Sequence, residues 1–147
     1  MSQTIYTIGF TQKSLEQFIR LLQAAGVDAV IDIRLRNTSQ LAGFAKRDDL
    51  AFLLREGFGL EYEHRPELAP SDDILNAYRA SGDWLAYERA FLPLLAECHA
   101  EALGREILAR YQRPCLLCAE PTPEHCHRGL VADYWTVHLP DLEVVHL

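Results

Sequence analysis

The sequence predicts an α/β fold: a single compact domain with a mostly parallel sheet of about five strands flanked by helices. Three observations predict it. Short apolar runs alternate along the chain with segments of helical periodicity, in the order β-α-β-α-β-α-α-β-α-β. The second run, Ala-Val-Ile-Asp-Ile at 29–33, is apolar at nearly every position, as a parallel strand covered on both faces should be. The length of 147 residues suits one domain spanning 1–147, with no repeat, linker or low-complexity stretch to divide it.

Each element has its own signal. Residues 5–8 (Ile-Tyr-Thr-Ile) read as a first strand that stops at Gly9. Ser14 and Gln17 form a capping-box pair. Leu15, Phe18, Ile19, Leu22 and Ala25 then recur at helical spacing up to a stop at Gly26. A short helix over 48–55 is closed by Gly57, and 60–64 is a third strand. Helices are expected over 72–80 and 84–111, with Pro93 or Gly104 kinking or dividing the longer one. Residues 115–119 form a fourth strand. Thr122 suits an N-cap and Pro123 a first helical position, for a helix running to about residue 135. Residues 143–147 close the chain as a short strand.

Composition narrows the function classes. Apolar residues make up 49% and charged residues 24%, an ordinary globular balance. No apolar run is long enough to span a membrane, and the N-terminus has neither a basic lead nor a cleavage site, so a cytoplasmic protein is expected. Four cysteines in such a chain point to reduced, catalytic or metal-bound thiols rather than a disulfide framework. The net charge of −7 argues against general nucleic-acid binding, which needs cations to neutralise phosphates. Twelve of the fourteen cations are arginines, the side chain whose fork matches carboxylate and phosphate; a bias in codon usage explains the same count.

In a parallel sheet, ligands bind beyond the carboxyl ends of the strands. Those ends carry Gly9-Phe10, Arg34-Leu35-Arg36, His64-Arg65 and Cys118-Ala119-Glu120. The richest run is 118–128, with two thiols, two imidazoles, two carboxylates and a guanidinium across a strand end, a loop and a helix start. A helix N-terminus offers free N–H groups and partial positive charge, which lowers a thiol pKa and favours anions. Cys118, Glu120, Cys126 and His127 are therefore the candidate catalytic residues. Arg34, Arg128, His64, Arg65 and Thr11 are candidates for binding a small anion. Cys115 and Cys118 have Cys-x2-Cys spacing, but three residues apart on a strand they face opposite ways, which makes Cys115 a core residue. Cys98-His99 reads as helix packing. Asp32, flanked by Ile31 and Ile33, needs a partner if buried, with Arg34 or Arg128 the candidates.

These elements together resemble a known family. Thr7-Ile8-Gly9-Phe10, Asp32-Ile33-Arg34, Pro66-Glu67-Leu68, Leu117-Cys118-Ala119-Glu120, His125-Cys126-His127-Arg128 and Val144-Val145-His146-Leu147 are similar to the family called domain of unknown function 488, over essentially the whole chain. The resemblance implies a compact α/β domain and draws attention to the Cys/Glu/Cys/His/Arg element; it implies no particular reaction. Phe10 stands where such proteins often carry histidine, which removes a first-loop histidine from consideration. A looser likeness to rhodanese-type and cysteine-phosphatase domains fails on spacing, because nine residues separate Cys118 from Arg128 where those loops have four or five.

Three functions compete on these residues. The first is a cysteine-dependent enzyme acting on a small anionic or nucleotide-like substrate. The second is a zinc or iron site built from Cys118, Cys126 and His127. The third is a non-enzymatic nucleic-acid-binding or regulatory module, using the arginines at the strand ends.

Overall fold

The computed structural model describes residues 2–147, with all side chains among them but those of residues 40 and 41. Five strands run parallel: β1 (Gln3–Gly9), β2 (Ala29–Asp32), β3 (Glu61–His64), β4 (Pro114–Cys118) and β5 (Leu142–His146). Their order across the sheet is β3-β2-β4-β1-β5. The fold is thus the expected α/β domain on a parallel sheet.

The helices divide between the two faces. α1 (Leu15–Ala25) and α2 (Arg47–Phe52) cover one face and bury Phe18, Leu22 and Leu50 with Tyr6, Ile8, Val30 and Leu117. On the other face lie α3 (Asp72–Ser81), α4 (Trp84–Glu97), α5 (Ala100–Arg110) and α6 (His127–His138), around Ile5, Ile31, Ile33, Phe91, Leu95 and Trp135. The Ser14–Gln17 capping box forms, and Gly26 ends α1 in the left-handed conformation. Among the described residues no helix is long and apolar enough to cross a membrane.

Two expectations are corrected. The segment 84–111 divides at Cys98–His99, where His99 takes a left-handed φ of 54°, and not at Pro93 or Gly104. Pro93 sits on the exposed side of α4, where the carbonyl freed by its missing N–H is open to solvent. Gly104 lies inside α5 because the Trp135 indole packs against it; an added Cβ would come within 2.8 Å of that ring. The helix after β4 begins at His127, with Cys126 as its N-cap, and not at Pro123. The Thr122-Pro123 signal is local. It is overridden by long-range ties from Thr11 to Ala119 and from Arg128 to Glu120, which hold the 119–126 segment out of helix.

The connections after β1 and β4 leave the sheet toward opposite faces, one into α1 and the other toward α6. Neighbouring strands whose exits diverge open a crevice at their carboxyl ends. The ladder continues past the strands there, as Phe10 and Thr11 donate to the carbonyls of Cys118 and Ala119, and Ile33 donates to that of Leu117.

Candidate functional site

A cavity of about 220 Å³ opens beside the carboxyl ends of β2 and β4. Arg34, Arg36 and Arg79 contribute its cationic side, and Glu120, Cys126 and His127 its α6 side. Tyr78 and Tyr87 are among its aromatic walls. Trp84 backs this wall, stacked on Tyr87 at 4.6 Å and on His125 at 5.0 Å between ring centroids.

The sulfurs of Cys118 and Cys126 meet across the 119–125 loop, in contact with each other. Both residues are buried, yet only Cys126 borders the cavity. Cys126 is also the N-cap of α6, with no side-chain cap bond. Cys115 packs with α1 and α2 while Cys118 packs with α4 to α6, so the two face opposite sides of β4 as the strand geometry required. Burial pushes the Cys115 thiol well above its ordinary pKa, which leaves it an inert core residue.

Arg128 lies behind the pair, fully buried. Its Nη1 donates to Cys118 Sγ at 3.2 Å and to the main-chain oxygen of Glu120, and its Nε donates to Thr7 Oγ1 at 3.2 Å. Its Nη2 is, among the described residues, the one buried side-chain nitrogen or oxygen with no hydrogen-bond partner. No ion pair joins Arg128 to a carboxylate among those residues. Loss of water lowers its pKa, as expected for a cation buried without a counter-ion. Gly9 makes room for this arrangement: a Cβ there would lie 1.5 Å from the Glu120 carbonyl oxygen and 2.8 Å from Arg128 Nη1.

His127 opens α6 and donates Nε2–H to the Ile33 carbonyl at 2.7 Å, which leaves Nδ1 as the unprotonated nitrogen of the neutral ring. Burial, helped by the neighbouring Arg128 charge, drops its pKa to about 4. His127 is therefore neutral at pH 7.

The partner of Asp32 is Arg34, and Arg128 takes no part. Arg34 meets both carboxylate oxygens, at 2.8 and 2.7 Å, and Asn37 and Tyr62 donate to the same group. Burial alone would raise the Asp32 pKa; the donors from Arg34, Tyr62 and Asn37 outweigh it and hold the carboxyl below its usual range. The Arg34 guanidinium also stands over the Phe10 ring, 5.1 Å from its centroid. At the position where the family resemblance led one to expect histidine, an aromatic face thus supports Arg34 by cation–π attraction.

Other expected residues lie further out. His64 bonds the Arg34 carbonyl through Nε2 at 2.8 Å, and so buttresses the turn that carries Arg34. Arg65 is engaged by Glu63, Glu67 and Glu106. Thr11 ties its hydroxyl to the Ala119 carbonyl at 2.6 Å, holding the loop after β4. Glu120 is exposed; its main chain serves Arg128 and its carboxylate borders the cavity. Arg79, Tyr78 and Tyr87 were not anticipated. They sit on α3 and α4, far from any strand end, and only the packing of those helices beside β2 brings them to the cavity. Arg36, a strand-end residue, joins them at the cavity while pairing with Asp72 at 2.7 Å.

The donors for a metal do not converge. The two sulfurs face each other, the His127 Nε2 is taken by a carbonyl, and no group of three or more His, Cys, Asp or Glu side chains is placed to hold an ion among the described residues.

A family model described as domain of unknown function DUF488 matches residues 14–135. No curated protein and no solved structure matches the chain.

Proposed function

Because the chain belongs to the domain of unknown function DUF488 family, whose name carries no reaction, we propose its function from the site alone: a cysteine-dependent enzyme acting on a small anionic or nucleotide-like substrate in a reducing, cytoplasmic setting. One observation carries this reading. Two sulfurs meet where Cys126 borders the cavity, and the buried Arg128 guanidinium behind Cys118 has no carboxylate partner among the described residues.

In the reduced protein Cys126 is the nucleophile open to the cavity. Its thiolate is favoured by the α6 N-terminus and by the cationic surroundings. The thiol proton passes to solvent, because His127, with its pKa lowered to about 4, stays neutral and serves to hold the start of α6 on the Ile33 carbonyl. Arg34, braced by Asp32, and the more exposed Arg36 and Arg79 receive the substrate's negative charge. The walls formed by Tyr78 and Tyr87 suit a substrate with a planar portion. Glu120 at the cavity edge is placed to accept a hydrogen bond from a substrate hydroxyl or amine.

Iodoacetamide alkylation of the reduced protein, followed across pH, tests the reading. One thiol should react with a pKa at least about one unit below the roughly 8.5 of free cysteine, and inorganic phosphate or AMP should slow it. Two thiols reacting with the ordinary pKa would overturn the proposal. One equivalent of zinc or iron retained through purification under reducing conditions would reassign Cys118, Cys126 and His127 to metal binding.

A further inference from the structure

The two cysteines are not equivalent, and the asymmetry has a direction. Cys126 borders the cavity, whereas Cys118 is wholly buried and rests on Arg128. A buried guanidinium without a counter-ion is costly to maintain. Yet among the described residues Arg128 has none, and its Nη2 is left without an acceptor. The nearest atom able to gain a full negative charge is the Cys118 sulfur, 3.2 Å from Nη1. That charge is absent when oxidation joins the two touching sulfurs and appears when the bond is cleaved.

We infer that the site carries out thiol–disulfide exchange with a small anionic thiol, with Cys126 as the attacked sulfur and Cys118 as the leaving thiolate held by Arg128. The inference rests on the reading of the pair as a catalytic centre and names its substrate class. The incoming thiolate bonds to Cys126 Sγ as the Cys118–Cys126 bond breaks, and the bonding electron pair leaves on Cys118. Exchange is faster when the departing thiolate is stabilised, and Arg128 supplies that stabilisation. A second thiolate then attacks the substrate sulfur of the mixed disulfide, releases Cys126 as a thiolate and leaves as a small-molecule disulfide. Two thiols are oxidised and one protein disulfide is reduced. Run backward, the same steps reduce a small disulfide.

The cavity specifies the charge of the partner. Of the arginines that face it, Arg34 is held by Asp32 and Arg36 by Asp72, which leaves Arg79 as the cation without a carboxylate partner among the described residues; a thiol bearing a carboxylate is received there, and by the N–H groups of Arg34 and Arg36 that their partners leave free, in preference to a cationic one. Around the leaving sulfur the charged and titratable groups are Arg128, with Cys115, Glu120, Glu124, Lys13, His127 and His146 interacting with Arg128 in turn.

The experiment mixes diamide-oxidised protein with 3-mercaptopropionate or cysteamine at equal thiolate concentration, quenches with acid and maps the mixed disulfide by mass spectrometry. The adduct is expected on Cys126, forming at least about tenfold faster with the anionic thiol after each rate is divided by the same thiolate's rate with the neutral bis(2-hydroxyethyl) disulfide, which removes the difference in intrinsic nucleophilicity. The exposed pair of substitutions Arg36→Ser and Arg79→Ser should bring that ratio toward one. An adduct on Cys118, or equal rates for the two thiols after that division, overturns the inference. A lowered alkylation pKa combined with no mixed disulfide from either thiol also overturns it, while leaving the cysteine-dependent enzyme standing. An unshifted alkylation pKa removes the enzyme reading itself, whatever the exchange shows.

Discussion

The Arg128 guanidinium and the Cys118 sulfur stand 3.2 Å apart inside the protein, and among the described residues the rest of the guanidinium is met only by Thr7 Oγ1 and a main-chain carbonyl. A cation in that position stabilises the thiolate over the thiol. In reduced protein carrying Cys126→Ser, the Cys118 alkylation pKa should rise by about one unit or more on Arg128→Met, equivalent to roughly 1.4 kcal/mol. Arg128→Lys should recover part of the difference, because it keeps the charge without the fork. The same pKa in all three proteins would show that the contact has no electrostatic consequence.

Gly9 separates β1 from the Glu120 carbonyl. An alanine there places its Cβ on the oxygen that accepts from Arg128, so the loop after β4 has to move. Gly9→Ala should cost about 3 kcal/mol or more, in the range of overpacking against rigid backbone. Urea denaturation reads the cost directly. A loss under about 1 kcal/mol would mean that the loop adapts freely.

Asp32 carries the turn that presents Arg34. Both side chains are buried, at 0% and 6% exposure, and the pair is bidentate. Asp32→Asn strands a buried guanidinium and should destabilise the fold by about 3–5 kcal/mol. Replacing both residues, with Asp32→Asn and Arg34→Met together, should cost less than Asp32→Asn alone. A double variant that is worse than the single would refute the uncompensated charge as the cause.

The pH dependence follows from His127. Its pKa falls from 6.5 in the unfolded chain to about 4 in the folded one, so between those values the unfolded state binds more protons. Its contribution to stability is complete above pH 6.5 and is lost as the pH falls toward 4, amounting to up to about 3 kcal/mol. His146, also lowered by burial, adds in the same direction, and Asp32 acts in a lower window because its pKa lies below the usual carboxylate range. His127→Gln keeps a donor for the Ile33 carbonyl and removes the titration. Its stability should therefore vary less with pH over this window than that of the parent, and an unchanged slope would exclude His127 as the source.

The elements most legible in the sequence were those whose signals are local and consistent. The Ser14–Gln17 box and Gly26 bound α1, and the apolar run at 29–33 announced a strand buried on both faces. The opposite orientation of Cys115 and Cys118 followed from strand alternation alone. Less legible was the start of α6. Thr122 and Pro123 advertise a helix, but the loop is held by Thr11 at Ala119, by Arg128 at Glu120 and by the meeting of two sulfurs, all contacts made across the chain.

By itself the sequence determined that a parallel α/β sheet would form and that Cys118, Glu120, Cys126, His127 and Arg128 would gather around one strand-to-helix turn, because periodicity and chain proximity are local properties. Only the tertiary structure decided which sulfur borders the cavity and which lies on Arg128, that Asp32 belongs to Arg34, and that Arg79, Tyr78 and Tyr87 complete the wall. Those outcomes depend on the packing of α3, α4 and α6 against one face of the sheet. Burial then dictates charge state, by leaving Arg128 with no carboxylate and His127 with no proton at pH 7.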